Sequence, residues 1–425
     1  MRFVRRGLRR APKLLWVALL ISLVGVDATP AAAATCAGLA GLALPDTTIT
    51  AAEPVAAGTY TAPDGEVFTN LPAFCRIAAT LTPTSDSNIK IEVWMPYSNW
   101  NGRYVGTGNG NIGGLIVYLN LAHFLPLNYA VANTDYGTFP AATDPLGARV
   151  LTGHPEKQID VATRSTNLMT VRAKQIIEAF YGEAAKYSYF FGCSTGGGKG
   201  MHEALQFPGD YDGLVAGAPV NNSTHHEAGL IWDYQAFNRN PVNLTTAQAT
   251  AITAAVVKQC TGHDGGLGPD NFLTDPRNCR WDPAALQCTG GPTDASTCLS
   301  PPQVAAMRKF YEGPINPRTG ERIYPGRVRG SESNNNYPGA IVAPATSQGA
   351  GSYWVFGNDY DWLSFDFDRD MDTLDDALAA RNANTADLEE FKSHGGKLIL
   401  MHGFSPSADV EHRCVLRTAD CQSGS

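Results

Sequence analysis

The sequence predicts an α/β fold built around a mainly parallel β-sheet. Apolar runs with the length of buried strands alternate with segments whose apolar residues recur at helical spacing. A serine flanked by small residues also lies between one such apolar run and the start of a helical segment. Alternating strands and helices favour a parallel sheet with both faces covered, because each helix crosses over one face before the next strand begins.

The elements follow in chain order from these patterns. Residues 160–181 carry apolar side chains at helical spacing and predict a helix. A second helix is predicted from the serine turn to about Gln206, and a short helix over 385–392. Strands are predicted over 89–95, 103–105, 129–133, 187–191, 214–216 and 397–401.

The serine turn has the sequence Gly192-Cys193-Ser194-Thr195-Gly196. A sharp turn from strand to helix exposes a serine hydroxyl above a parallel sheet, and small neighbours make room for it. The amide of Thr195 at the helix start can face an oxyanion. The pattern alone is weak in a chain with 43 glycines, and its setting between strand and helix strengthens it.

The first 34 residues have the pattern of a secretory signal. A region with six basic residues precedes an apolar core over 14–26, and the small residues 31–34 offer cleavage sites. A membrane anchor is the alternative, but the apolar core is short for a membrane span. Removal of residues 1–34 would change the net charge from −8 to −13. An acidic surface argues against nucleic acid or an anionic membrane as the partner.

Composition divides the exported chain into three parts. Residues 222–384 are rich in Asn, Gly, Pro and Thr, hold four of the nine cysteines and lack regular alternation of strands and helices. We therefore expect a core over 35–221 and 385–425, with residues 222–384 as an inserted lid that is stapled by local disulfides. No Cys-x-x-Cys pair occurs, so a zinc ribbon is not favoured.

An ordered set of motifs resembles the tannase and feruloyl esterase family of α/β-hydrolases. The resemblance runs from about Cys36 to Phe404 and implies an α/β-hydrolase core. The motifs are Gly153-His154-Pro155-Glu156, Met169-Thr170-Val171, Ala179-Phe180-Tyr181-Gly182, Lys186-Tyr187-Ser188-Tyr189-Phe190, the serine turn with Gly197, Phe207-Pro208-Gly209-Asp210-Tyr211-Asp212-Gly213, Asp275-Pro276, Tyr324-Pro325-Gly326 and Phe365-Asp366-Phe367-Asp368.

The resemblance implies a catalytic triad of serine, aspartate and histidine. Ser194 would be the nucleophile, because histidine can take its proton during attack and a carboxylate can hold the imidazole. Thr195 would supply one oxyanion amide, and Gly110 in the glycine-rich loop 106–114 the other. The resemblance also implies a disulfide from Cys193 to the cysteine after the histidine, which gives Cys193 a structural role rather than that of a nucleophile.

The tail departs from the family pattern. His402-Gly403-Phe404-Ser405 fits, but Pro406 stands where the catalytic aspartate is expected. One interpretation places Asp409, His412 and Cys414 in the usual roles, although four consecutive residues span at most about 14 Å. The other holds that the residues from about Pro406 onward are not family sequence, because of a truncation or a frame shift. The chain would then lack its acid and base.

The lid offers a candidate calcium site within the segment from Cys260 to Cys279. Family members bind calcium in this loop through carboxylates and carbonyls, which suit a hard cation. The candidate ligands are Asp264, Asp270 and Leu273, although Thr261 stands where a carboxylate is usual. The alternative is a disulfide-held loop with capping aspartates. No cofactor is required for the expected reaction.

We therefore expect a secreted serine esterase that acts on esters of small aromatic acids, such as hydroxycinnamate or gallate esters. Monoesters of aromatic diacids also fit the resemblance. The alternative is a family member that has lost its acid and base and at most binds phenolic ligands. We expect no stable membrane anchor after signal removal, and the partner of Cys421 stays open. The expected disulfides are Cys36–Cys75, Cys193–Cys414, Cys260–Cys279 and Cys288–Cys298.

Overall fold

The computed structural model describes residues 33–138, 149–290, 296–330, 332–333 and 350–404. Nearly all of the predicted signal segment lies outside these residues, as do Asp409, His412, Cys414 and Cys421. None of the helices in the described ranges is both long enough and apolar enough to cross a membrane.

An eight-stranded sheet forms the core, in the order β1-β4-β5-β7-β6-β8-β9-β10, and β2 pairs with β3 apart from it. Neighbours from β7 to β10 in this order are parallel, whereas β1, β4, β5 and β7 pair in antiparallel fashion. The strands are β1 Thr47–Val55, β2 Gly58–Thr61, β3 Val67–Leu71, β4 Phe74–Leu81, β5 Ile89–Pro96, β6 Arg103–Gly108, β7 Ala130–Thr134, β8 Tyr187–Cys193, β9 Gly213–Gly217 and β10 Lys397–Met401.

Helices follow most of the parallel strands and fill the inserted segment. The α-helices of the described residues are α1 Tyr118–Phe124, α2 Pro155–Ile159, α3 Ser165–Tyr181, α4 Thr195–Gln206, α5 Ser223–Asn238, α6 Thr246–Cys260, α7 Pro301–Glu312, α8 Ala350–Phe356, α9 Met371–Leu378 and α10 Glu389–Ser393. Residues Asp160–Arg164 form a single π-helical turn between α2 and α3.

Both faces of the sheet are covered, as the sequence predicts. On β5, Ile91 and Val93 pack into a cluster with Met169 and Ile176 of α3. Trp94, which points to the opposite face, packs in a second cluster with residues of α1. This alternation follows from the two-residue period of a strand. The mainly parallel α/β fold predicted from the sequence is therefore confirmed.

The segment 222–384 contains helices α5 to α9 and no strand among its described residues. One of its hydrophobic clusters is its own, around Ile252 and Phe310. Another joins lid residues to Tyr136 and Val161 of the core segment. The structure also holds disulfides Cys36–Cys75, Cys260–Cys279 and Cys288–Cys298. The division of the chain into core and lid stays a prediction.

Candidate active site

Ser194 lies at the strained point of the turn between β8 and α4. Its φ of +58° and ψ of −123° place a residue with a side chain in a region that such residues rarely occupy. Such a conformation costs about 1–3 kcal/mol and persists only where the surroundings fix it. The surroundings do so here, because the Ser194 amide donates to the Gly217 carbonyl at 2.9 Å. The Ser194 carbonyl accepts from Gly198 and Val220 at 3.0 and 3.1 Å.

The glycines around Ser194 are required by close backbone packing. A Cβ atom on Gly192 would lie 2.3 Å from the Gly196 carbonyl oxygen. A Cβ atom on Gly196 would lie 2.6 Å from the carbonyl carbon of Gly108, at the end of β6. Only hydrogen atoms fit at these points, so the helix start can rest directly against the strand that leads into the glycine-rich loop.

The Ser194 hydroxyl does not cap α4, although Ser194 occupies the N-cap position. Serine is common at N-caps because its oxygen usually accepts from an amide of the first helical turn. The turn at Ser194 directs the side chain elsewhere, and the residue is 8 % exposed. The helix that starts at Thr195 therefore keeps its first amides for other acceptors, and its dipole favours negative charge there.

The glycine-rich loop is fixed at Asn109, the first residue after β6. The Asn109 amide donates to the Tyr136 hydroxyl at 2.6 Å. The Asn109 side-chain amide donates to the carbonyls of Thr134 at 2.7 Å and Leu115 at 2.9 Å. The Asn109 amide already donates to Tyr136, so it is not the candidate oxyanion donor of this loop. The next amide along the chain is that of Gly110.

Two buried basic residues, Lys199 and His202, lie on α4 after the serine turn. Burial lowers the pKa of Lys199 to about 7, and the charge of Arg381 acts in the same direction. Burial also lowers the pKa of His202 to about 3, so this imidazole is neutral at neutral pH. Its Nε2 lies 3.2 Å from the Arg381 carbonyl oxygen, and its Nδ1 lies 3.3 Å from the Gln206 side-chain nitrogen.

A small polar cavity adjoins the start of α4. It is lined by one face of the helix and by residues of the glycine-rich loop, the π turn and the lid junction. These include Asn111, Val161, Thr195, Lys199, Ser223 and Arg381. The glycine-rich loop, the helix start, Lys199 and Arg381 thus border the same space.

The proposed acid and base cannot be placed beside this turn, because Asp409 and His412 lie outside the described residues. The same holds for Cys414, so the pairing of Cys193 with Cys414 also stays a prediction. Cys193 itself is 2 % exposed at the end of β8. A Cβ atom on Gly217 of β9 would lie 3.4 Å from its sulfur.

Two further histidines lie beside carboxylates. His154 Nδ1 lies 2.9 Å from Asp86 Oδ1. His225 Nε2 lies 3.1 Å from Asp375, and its Nδ1 lies 2.9 Å from the Ile323 carbonyl oxygen.

The acidic residues in the candidate calcium loop make hydrogen bonds within the loop. Asp264 accepts from the amides of Gly266 and Thr274, and Asp270 accepts from the amide of Leu267 at 3.0 Å. Burial opposes ionisation of Asp264, yet the backbone amides of Gly266 and Thr274 lower its pKa below the usual value. This arrangement fits the alternative of capping aspartates.

Metal binding has no further support in the described ranges. They contain no group of three or more His, Cys, Asp or Glu side chains placed to hold a metal ion. Asp275, the third carboxylate of the loop, pairs with Arg277 at 2.7 Å. Leu273 packs its side chain against the lid cluster around Ile252. We therefore derive no role for calcium.

The tryptophans of the lid pack within it. Trp362 is 4 % exposed and donates to the Ser352 hydroxyl at 2.8 Å. Trp354 lies under the guanidinium of Arg381, 4.7 Å from ring centroid to Cζ. Trp232 donates to the Lys309 carbonyl at 2.7 Å. Trp354 and Trp362 also belong to the cluster that joins this segment to Tyr136 and Val161.

A family model described as tannase and feruloyl esterase matches residues 75–411. The chain belongs to this family. Its relatives include an uncharacterized esterase of Xanthomonas campestris, 35 % identical over 91 % of this chain and 70 % of that protein. A probable feruloyl esterase B-2 of Aspergillus flavus is 34 % identical over 77 % of this chain and 62 % of that protein. The family is therefore one of carboxylic ester hydrolases.

Solved structures agree with this assignment. Feruloyl esterase B from Aspergillus oryzae has a TM-score of 0.77 and 27 % identity, over 91 % of this chain and 76 % of that chain. Tannin acyl hydrolase from Aspergillus niger has a TM-score of 0.66 over 89 % of this chain and 73 % of that chain. Its identity of 17 % supports the shared fold alone.

Sequence reasoning did not find Asn109, Tyr136, Lys199 or Arg381. In the sequence, Asn109 stands out only as part of the glycine-rich loop. The other three are brought to the site by contacts between distant segments. Lys199, for example, bonds to carbonyls 38 and 37 residues earlier in the chain.

Proposed function

We propose that this chain is a secreted serine esterase that hydrolyses esters of small aromatic acids through an acyl-enzyme on Ser194. The observation that carries the proposal is the strained turn, which presents Ser194 at the start of α4 and beside the glycine-rich loop. Family membership and relatives named as feruloyl esterases support an aromatic acid as the acyl group.

The reaction begins when the Ser194 hydroxyl attacks the ester carbonyl and a histidine takes its proton. We assign this base to His412 and its carboxylate partner to Asp409. The amides of Thr195 and Gly110 stabilise the oxyanion. Loss of either donor is expected to lower kcat by about 100- to 1,000-fold. The histidine then protonates the departing alcohol, and a water molecule hydrolyses the acyl-enzyme by the same steps in reverse order.

Secretion rests on two observations. The first is the basic and then apolar pattern of residues 1–34. The second is the three disulfides, which form and persist in oxidising compartments. N-terminal sequencing of the protein recovered from the culture medium tests this part of the proposal, and we expect a start close to Thr35.

The activity is tested with p-nitrophenyl acetate and with methyl ferulate, methyl gallate and a monoester of an aromatic diacid. We expect turnover of at least one aromatic ester, and a loss of about 10⁴-fold or more in Ser194→Ala. The matched control is Ser188→Ala, a buried serine on β8 that should retain activity. Absence of turnover in the intact chain, with binding of ferulate retained, would replace the esterase by a phenolic-binding protein.

A further inference from the structure

The buried side chain of Lys199 joins three separate segments of the site. Lys199 is 4 % exposed and lies in the second turn of α4. Its Nζ donates to the carbonyls of Val161 and Ala162. Both carbonyls belong to the π turn Asp160–Arg164. A π turn pairs each carbonyl with the amide five residues on, instead of four, and such turns recur at functional sites.

The same ammonium faces an aromatic ring. Lys199 Nζ lies 5.1 Å from the centroid of the Tyr136 ring, within the range of a cation–π contact. Tyr136 is completely buried and has a φ of +59°, which is unusual for a bulky residue. The position of the Tyr136 ring therefore depends on what packs against it.

The Tyr136 ring in turn holds the glycine-rich loop at two points. Its hydroxyl accepts the Asn109 amide at 2.6 Å, directly before Gly110. Gly113 rests on the ring so closely that a Cβ atom there would lie 2.4 Å from Tyr136 Cδ2. A displaced ring would therefore move the loop relative to Ser194.

We propose that Lys199 is a positioning residue that fixes the glycine-rich loop through Tyr136. It thereby holds the Gly110 amide at the position from which it donates to the oxyanion. This inference rests on the proposed function, in which Gly110 stabilises the oxyanion. We assign Lys199 no direct part in the reaction. Its effect is on the distance between a donor and the oxyanion, and a misplacement of about 1 Å can cost about 100-fold in rate.

Three variants test the proposal by steady-state kinetics on p-nitrophenyl acetate. Lys199→Met keeps the length of the side chain but removes the charge and the donors. Tyr136→Phe keeps the ring but removes the hydroxyl. We expect each to lower kcat by roughly 10- to 100-fold and to change KM by less than about twofold. In the double variant, Lys199→Met should lower kcat by less than about a further twofold relative to Tyr136→Phe, because both variants act on the position of the same loop.

The matched control is Lys309→Met. Lys309 also lies over an aromatic ring, with Nζ 5.9 Å from the centroid of Trp232, but it is exposed and in the lid. We expect wild-type kcat and KM from this variant. A general loss of stability would lower the amount of active enzyme and the melting temperature, whereas the proposal requires a lower kcat in protein that is fully folded.

Hydrogen exchange gives a readout that does not require activity. We expect amides of residues 109–114 to exchange at least about tenfold faster in Lys199→Met and Tyr136→Phe than in wild type. Unchanged exchange in this loop, or a wild-type kcat in Lys199→Met, would overturn the proposal. If Lys199→Met does not fold, Tyr136→Phe alone decides. If wild type hydrolyses no ester, the proposed function fails, and the exchange result still decides whether Lys199 fixes the loop.

Discussion

The serine turn and the loop from Cys260 to Cys279 use their polar residues in opposite ways. Ser194 stands at a helix N-cap without capping the helix, and its backbone is strained. Asp264 and Asp275 instead accept amides of their own loop. The difference teaches that backbone hydrogen bonds fix the position of Ser194, whereas in the acidic loop the side-chain carboxylates fix the backbone. In the acidic loop the carboxylates serve the local structure.

The largest effect that this comparison predicts is that of Gly196→Ala. The added methyl group would lie 2.6 and 2.7 Å from the carbonyl carbon and oxygen of Gly108, so the helix start and the loop strand must separate. We expect kcat to fall by about 100-fold or more and the free energy of unfolding to fall by about 1–3 kcal/mol. Steady-state kinetics and urea unfolding measure both.

Gly268→Ala in the acidic loop is the matched control for this variant. A Cβ atom there would meet no atom within 4 Å, so stability should stay within about 0.5 kcal/mol of wild type. Equal losses of stability in the two variants would show that the serine turn is no more tightly packed than the acidic loop, which would contradict the comparison.

A second prediction concerns the effect of Lys199, on α4, on how the stability of the protein depends on pH. In the unfolded chain Lys199 has a pKa of 10.5, whereas burial lowers its pKa to about 7 in the folded protein. Between these two pKa values the unfolded state binds more protons than the folded state. Lys199 therefore makes the free energy of unfolding increase as pH rises from about 7 to 10.5. The groups that act on this charge are Arg381 and Glu203.

Lys199→Met should remove that contribution and flatten the stability curve between pH 7 and 10. The slope can differ from wild type by up to about 1.4 kcal/mol per pH unit. Urea unfolding at three pH values in this window measures the slope, with Lys309→Met as the exposed control. A slope in Lys199→Met equal to that of wild type would mean that the residue titrates normally in the fold.

The smallest effect is expected from Asp264→Asn in the acidic loop. Turnover should stay within about twofold of wild type, because Asp264 has no part in the proposed mechanism. Backbone amides lower the pKa of Asp264, so its contribution to stability is present at neutral pH and is lost as pH falls through that lowered pKa. The stability difference from wild type should therefore shrink in acid.

Thermal unfolding from pH 3 to 7 follows that difference, with Asp376→Asn at an exposed position of α9 as the control. The same melts with and without calcium sharpen the comparison. A rise in the melting temperature of wild type with calcium, absent in Asp264→Asn, would show that the loop carboxylates serve a ligand after all.

Local pattern predicted the parallel half of the fold and the place of Ser194. The apolar run 187–191 and the small residues after Ser194 are close in the sequence, so the strand, the turn and the helix could be recognised together. The antiparallel strands β1 and β4 were not predicted, because β1 mixes exposed and half-buried residues and contains Pro54. Its pairing with β4 is visible only in three dimensions.

The surroundings of Ser194 were harder to predict for the same reason. A lysine among glycines, as at Lys199, resembles a solvated residue in the sequence. Its burial depends on carbonyls of the π turn and on Tyr136 at the end of β7. Tyr136 itself belongs to a run, Thr134-Asp135-Tyr136-Gly137, whose position at the end of a strand was the one signal available.

The most direct measurement is covalent labelling by a fluorophosphonate, followed by mass spectrometry of the digested protein. An activated serine displaces fluoride and keeps the phosphonyl group, and the adduct mimics the tetrahedral intermediate. We predict one phosphonyl group per chain, on the peptide that contains Ser194, and none in Ser194→Ala. Folded protein that stays unlabelled, or that carries the group on another residue, would contradict the assignment of Ser194 as the nucleophile.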